Sequence, residues 1–532
     1  MGFSLTDRIP NPGGAHGTHP TARRAAQPAV AFIVLVLLGV VTPLNTWAAA
    51  LPATPLARAH YQRISRAAEI SADLDALVAA SSMARKEQVG TSVEGRPIET
   101  LVLTAPHSRD LPRVLLVATQ HGAAEPAGGE AMLSLAREIL QGELRPLLED
   151  FEVVLLPDAN PDGRDSGHRS NAHQVNLNTD FVLLSQPESR AVVAALARYE
   201  PLAVLDVHES AVLKRQSLAR QGYLTDFDAQ FETANNPGIT AALRDYGQQQ
   251  VLPALISATR AAGLPAQRYI AEITNITQPI TNGGLSLRNF RNRAGIDVAL
   301  SVLVETKLDA RDERWPTYRN IEARVARSLL CQRVFLRVVQ SERANLRGQW
   351  WRARVAARSE ALALHAAYVE DSAHRQVDIV LRRRATHQRE TRPFADHRRV
   401  VSADVIALPA AYLVPQPTAA LLRVLQRHGI HYQQPPAGLG LAVVAERYGA
   451  APVFDGRVAV LASSTRVITT AAGAVLIELQ QNRGRLVPLL LDPRSMSSVF
   501  RLPAFAHEFV FGGELPVYRV SQLGVHAVST GP

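Results

Sequence analysis

Along the first half of the chain, short apolar runs alternate with stretches of helical period, and several of the runs stop at an ionisable residue. Residues 57–84, rich in Ala and Leu with spaced charges, predict a helix; Gly90 to Pro97 predicts a turn. Ile98 to Thr104 then alternates apolar and polar positions as a half-buried strand does. Arg113-Val-Leu-Leu-Val-Ala-Thr-Gln120 predicts a buried strand ending at His121, and Pro126 opens a helical pattern that runs to Leu140. Phe151 to Leu156 is a strand leading into the loop Asn160-Pro161-Asp162-Gly163. Leu202 to Val207 is another, ending at His208, and Leu300 to Val304 is the fourth of the buried apolar strands, ending at Glu305. Residues 239–262 read as helical, divided at Pro253. Strands alternating with helices predict an α/β fold, and in such sheets the chemistry collects beyond strand ends.

The second half reads differently. Residues 314–360 are helical and basic, and 365–396 are charged and poor in apolar residues. Strand-like runs at 401–413, 443–448, 458–461 and 475–479, with a helix over 421–428, predict a smaller C-terminal α/β or β-rich domain. The expected organisation is an address segment over 1–50, a catalytic domain over 51–312, a helical and charged connector over 313–396 and the C-terminal domain over 397–532.

Composition narrows the classes. With 532 residues, 47% hydrophobic and 20% charged, the chain is long enough for two folded domains. The formal charge of +9 comes almost wholly from scattered arginines. No basic stripe interleaved with aromatics exists, so nucleic acid is not an expected partner. A single cysteine, Cys331, excludes an intrachain disulfide framework, and its apolar helical surroundings predict a buried core thiol. Arg23 and Arg24 precede the uncharged run Ala29 to Val41 and the small-residue end Ala48-Ala49-Ala50, the order of a secretory signal. Export to the periplasm or outside the cell is expected, with membrane contact only through this segment if it stays uncleaved.

A catalytic zinc needs three His, Asp or Glu ligands and an open position. Gln120-His121-Gly122-Ala123-Ala124-Glu125-Pro126 supplies a His and a Glu in one turn, and Asp206-Val207-His208-Glu209 a second His at another strand end. Together they make a His₂Glu set. No G-x-S-x-G elbow, H-E-x-x-H pair or P-loop competes with it.

In ordered motifs from Gly90 to Lys307 the chain resembles the zinc metallocarboxypeptidases, the carboxypeptidase A-like peptidases. Ser92-Val-Glu-Gly95-Arg-Pro97-Ile98 resembles the motif before the family's first metal-ligand strand, and His121 to Pro126 its H-G-x-E-P segment. Asn160-Pro-Asp-Gly163 is similar to its N-P-D-G loop, Val175-Asn-Leu-Asn178-Thr-Asp-Phe181 to its D-L-N-R stretch, and Gln186-Pro-Glu-Ser-Arg190 to the segment just after that stretch. Leu205-Asp-Val-His208-Glu209 and Ser301-Val-Leu-Val-Glu305-Thr306 resemble the third-ligand strand and the strand of the catalytic glutamate. The resemblance implies a mixed, largely parallel central sheet flanked by helices. It implies zinc held by His121, Glu125 and His208, Glu305 as the base, and Arg169 as the oxyanion stabiliser that also contacts substrate. Asn178 would bind the substrate's carboxylate or backbone.

Three positions depart from the family. His121 and Glu125 are spaced H-x-x-x-E, one residue longer than its H-x-x-E. Thr179 stands where an arginine grips the substrate's terminal carboxylate, with Arg291 and Arg293 as candidate replacements. Asn176 stands where an aspartate supports the first zinc histidine. The function expected is zinc-dependent hydrolysis of peptide or peptide-like amide bonds, cell-wall peptides included. The second reading is a degenerate member that binds peptide or envelope components without turnover.

Overall fold

A computed structural model describes residues 51–106, 110–212, 216–308, 320–449 and 456–505, with scattered positions between 507 and 523. The secretory-type segment lies outside the described residues. No helix among those described is long and apolar enough to cross a membrane.

The apolar runs become the interior of one eight-stranded sheet. Its members are β1 (Ala84–Thr91), β2 (Pro97–Leu103), β3 (Arg113–Ala118), β4 (Glu152–Leu156), β5 (Ala203–Ala211), β7 (Ala229–Thr233), β8 (Ala266–Arg268) and β9 (Leu300–Leu308), while β6 (Tyr223–Thr225) belongs to a small separate sheet. Their order is β1-β2-β4-β3-β5-β9-β7-β8. The centre, β4-β3-β5-β9, is parallel, and β1, β2 and β7 join antiparallel. Central strands are apolar on both faces because helices cover both. Helix Ala127–Gln141 and helix Ile321–Ser341 pack with one apolar set, and Pro187–Tyr199 and Phe290–Ile296 with the other. The expected α/β architecture is present, and Cys331 is a buried free thiol.

The first predicted helix is shorter than its composition suggests. It spans Ala67–Ala80, and the following residues enter β1. Pro253 divides the 239–262 segment as expected, sitting in the first turn of helix Leu252–Ala261 just after a π-turn at Gly247–Val251.

The segment expected as a helical connector over 313–396 is helical only in part, over Ile321–Ser341 and Arg343–Ala356. Leu362–Val369, Gln376–Arg383 and Arg389–Ala395 are strands. The high charge of this stretch hides a period of two, Val377, Ile379 and Leu381, of which the last two are buried. Gln376–Arg383 pairs with β6, which lies within the first half of the chain. A five-stranded antiparallel sheet contains Ala411–Val414, Gly440–Tyr448, Val460–Thr469, Val475–Glu478 and Tyr518–Val520. Its apolar residues share a core with Val182, Ala234, Ile239 and Leu287 of the first half. Residues 50–532 form a single compact unit.

Candidate metal centre

The site is built where β3 and β5 end side by side. β3 stops at Ala118 because Thr119 turns into the left-handed region (φ 62°) and its hydroxyl donates to the Pro157 carbonyl at 2.9 Å. His121 then starts a single 3₁₀ turn, Gly122–Ala124, and Glu125 closes it. That turn absorbs the extra residue of the H-x-x-x-E spacing. It does so only with glycine at 122, where φ is 48° and a Cβ would lie 2.4 Å from the His168 carbonyl oxygen. The same close approach brings the 168–169 loop over the histidine.

Two of the sequence motifs lock this corner. The Asn160 amide nitrogen donates to the carbonyls of Gln120 (3.2 Å) and Arg169 (3.3 Å), tying the first ligand segment to the arginine loop. Asp162 accepts from the Ser92 hydroxyl (2.7 Å), the Glu94 amide (3.0 Å) and Arg96 (2.6 Å), fastening the Ser92–Pro97 turn to the Asn160–Gly163 loop.

The fold brings His121, Glu125 and His208 together, with one ligand atom from each all lying within 4.8 Å of one another. All three are buried, 4%, 5% and 2% exposed. His121 Nδ1 lies 2.7 Å from Glu125 Oε1, and His208 Nδ1 lies 2.9 Å from Glu125 Oε2. Both Nδ1 atoms thus face a single carboxylate, while both Nε2 atoms point outward to fixed acceptors. His121 Nε2 meets Asn176 Oδ1 at 3.1 Å, and His208 Nε2 meets Asp206 Oδ1 at 2.9 Å. Asp206 is itself held by Gln120 Nε2 at 2.5 Å. An imidazole whose Nε2–H is engaged presents a bare Nδ1 to the centre, which is the tautomer a metal ligand needs. Among the described residues, His121 Nδ1 is buried and, although Glu125 Oε1 lies 2.7 Å away, forms no well-aligned hydrogen bond. A buried nitrogen in that state, opposite a second imidazole and a carboxylate, fits a zinc ion in donor type and count.

Electrostatics fit a cation site at Glu125 and His121, whereas His208 is set to hold a proton that a metal would have to displace. Burial pushes the Glu125 carboxyl up, but His121, Arg169 and His208 outweigh it and hold the group well below the usual carboxylate range. Burial keeps His121 below the ordinary imidazole value, against the pull of Glu125. For His208 burial also acts downward, yet Asp206 and Glu125 together raise it well above that value. An anionic carboxylate and a neutral His121 are the forms that bind a cation.

The other predicted residues fall around this centre. Arg169 reaches it from the rim, its side chain 48% exposed, with one terminal nitrogen on Glu125 Oε1 and the other 3.1 Å from His121 Nε2. Glu305 on β9 is the register partner of His208 on β5, so the two side chains share a face of the sheet. Asn178 lies beside the site, its amide nitrogen 3.4 Å from His208 Nε2, but its carbonyl oxygen accepts from the Phe290 amide at 2.9 Å. Only its NH₂ group is left for a ligand. Thr179 is exposed, and its hydroxyl donates to the Asn176 carbonyl at 2.8 Å. Arg293 is fully buried and paired with Asp297 at 2.6 Å in the neighbourhood of Arg483 and His428, which removes it as a carboxylate anchor. Asp206 and Gln120 are not among the residues predicted for the site. The signal for Asp206 lies in Asp206-Val207-His208, since residues two apart on a strand share a face.

Residues 70–213 match the family model described as zinc carboxypeptidase, a span holding His121, Glu125, Arg169 and His208 but not Glu305. "Probable carboxypeptidase 2" of Trichophyton verrucosum (strain HKI 0517) is 29% identical over 238 residues, which cover 43% of this chain and 45% of the relative. "Carboxypeptidase D" of Mus musculus is 34% identical over 127 residues, 20% of this chain and 9% of the relative. The chain therefore spans less than half the length of these relatives. Among solved structures, a metallo-carboxypeptidase from Pseudomonas aeruginosa is 20% identical with a TM-score of 0.40, covering 54% of this chain and 71% of that one.

Proposed function

Because this chain belongs, through residues 70–213, to the zinc carboxypeptidase family, we propose that it hydrolyses peptide or peptide-like amide bonds with zinc held by His121, Glu125 and His208. The observation that carries the proposal is the convergence of two buried Nδ1 atoms on one buried carboxylate, from segments more than eighty residues apart in sequence. When bound, zinc polarises the scissile carbonyl and brings the pKa of water towards about 7. Glu305, on the same face as His208, takes the proton from the attacking water and delivers it to the leaving amine. Arg169 swings from Glu125 to the carbonyl oxygen, where negative charge develops; its half-exposed position on the rim permits that movement. Gln120 and Asp206 hold the His208 ring in its ligating orientation.

The basic, apolar and small-residue order of the first fifty residues supports action outside the cytoplasm, on peptides of the cell envelope or the medium. Zinc analysis of the purified protein, paired with Glu305→Gln in a peptide-release assay, tests the reading. Near-stoichiometric zinc and a fall of about 10²–10⁴-fold in turnover are expected. Unchanged peptide binding without zinc and without Glu305-dependent release would instead establish the second reading, a peptide-binding protein that lacks turnover.

A further inference from the structure

We propose that the strand Val460–Thr469 pairs antiparallel with the same strand of a second copy of this chain. The two-fold axis passes through Ser464 and joins the two five-stranded sheets into one continuous sheet.

Among the described residues, Val460–Thr469 is an edge of its sheet, hydrogen-bonded on one side to Gly440–Tyr448. In an antiparallel ladder alternate residues turn their N–H and C=O groups away from the partner, so a long edge offers a row of them to another chain. The other edges in this molecule are guarded. β1 carries Arg85, Lys86 and Glu87, and β8 is three residues long. Arg389–Ala395 carries two arginines, a glutamate and a proline, and Val475–Glu478 is four residues long and mostly buried. Val460–Thr469 has none of these protections. It runs for ten residues without proline, Arg466 is its only charge, and all but Ile468 are exposed. Val460, Leu461 and Val467 are three of the eight large apolar side chains left exposed among the described residues, Leu461 and Val467 at 59% and 57%. Apolar surface concentrated on a long bare edge marks a pairing site.

The strand's own sequence selects the occupant. Outward from Ser464, Ser463 mirrors Thr465, Ala462 mirrors Arg466, and Leu461 and Val460 mirror Val467 and Ile468. Two such strands paired about Ser464 set hydroxyl against hydroxyl and apolar against apolar, and give the arginine a small neighbour. Directly opposed side chains lie on one face, so a two-fold axis normal to the sheet must pass through a residue, and a slip moves the opposed pairs by two. An axis at Arg466 sets the two arginines against each other. One at Ala462 sets Leu461 against Ser463 and Val460 against Ser464. Only Ser464 leaves every pair matched. The bulge at Leu461 lies at the strand's start, and Ala462–Thr469, which carries the axis, pairs regularly with Gly440–Arg447.

Sedimentation equilibrium and site-directed cross-linking of the full chain test this. The native protein is expected to show a monomer–dimer equilibrium. Ser464→Cys puts a thiol on the axis, and Cys331, the only native cysteine, is buried and does not compete. Mild oxidation should link most of this variant into a dimer that dithiothreitol reverses, because a disulfide needs Cα atoms within about 7 Å. Thr469→Cys, far from the axis, should stay unlinked. The double variant S463K/T465K opposes lysines at two symmetry-related places and should weaken the dimer by at least about 10-fold. S463K/T465E opposes lysine to glutamate instead and should keep it. A native protein that stays monomeric at every concentration overturns the proposal, whether the edge is bare or covered by another segment of the same chain. A dimer that survives S463K/T465K, or that leaves Ser464→Cys unlinked, uses another surface or register and overturns it too.

Discussion

At the scale of single residues, the centre is distinctive in where it keeps its outer carboxylate. The ring of His121 rests on the amide of Asn176, whereas the ring of His208 rests on the carboxylate of Asp206. A carboxylate raises the basicity of the imidazole it holds more than an amide does, and such outer partners are worth about 10–100-fold in metal affinity. Asp206 thus compensates on one histidine for what Asn176 withholds from the other. Asp206→Asn is expected to weaken zinc binding by about 10–100-fold, and Asn176→Asp to strengthen it by about 10-fold. Competition against a chromogenic chelator measures both; equal affinities in the two variants would show that the outer acceptors do not tune the site.

Elements decide whether these residues meet. A β-strand repeats every second residue, so the Asp206-Val207-His208 stretch necessarily puts carboxylate and ring on one face, and its neighbour β9 lays Glu305 beside them. Helix ends are equally local in their physics. Helix Ala67–Ala80 begins at Arg66, whose backbone N–H donates to Glu69 Oε2 at 2.8 Å while Arg63 grips both carboxylate oxygens at 2.6 Å. The hydrogen bond from Arg63 is the main reason the Glu69 carboxyl is lowered to about 2. Its folded pKa lies below its unfolded value, so its stabilisation is present above about pH 4.5 and disappears as pH falls towards 2. Because the pair is partly exposed and screened by solvent, Glu69→Gln should cost only about 0.5–1 kcal/mol at neutral pH. Thermal melts at pH 7 and pH 2.5 check this: the deficit should shrink at the lower pH.

At the scale of the whole molecule, His428 adds a buried polar contact to the strand pairing and shared core that join the two halves of the sequence. It ends helix Ala419–Arg427, is fully buried, and donates its Nε2–H to the Val182 carbonyl at 2.9 Å. Burial first, and then Arg293 and Arg483, push it down to about 3, against the opposing pull of the Val182 carbonyl and Asp297. Among the described residues its Nδ1 is buried without a partner, so a second proton would have nowhere to donate. Between about pH 6.5 and pH 3 the unfolded chain binds a proton here that the folded chain does not, so stability falls as the solution is acidified. The loss is on the order of a few kcal/mol over that window. His428→Gln, which keeps the donor to Val182, should flatten the fall of Tm between pH 7 and pH 4; an unchanged slope would assign acid unfolding to other groups.

Much of the site could be read along the chain. His121, Glu125, His208, Arg169 and Glu305 each stand at the end of an apolar run or in a short loop motif, because a buried strand must be apolar and its first polar residue is where it emerges. Such patterns are local, and local physics writes them plainly. The longer loop between His121 and Glu125 is also a local matter, since Gly122 is what allows it to close as a 3₁₀ turn. Other features depended on which strands became neighbours. Asn160 could be known to anchor both Gln120 and Arg169 only once β3 and β4 lay side by side. The two strands hidden in the charged segment 376–395 acquired meaning only when one paired with β6 and both covered shared apolar residues. Arg291 and Arg293 are two residues apart and indistinguishable by type, yet helix geometry turns one towards Asp297 and leaves the other beside Tyr269 and Gly283 without a counter-charge. Residue chemistry is a property of the sequence; whether a charge finds its partner depends on distances that only the packed chain sets.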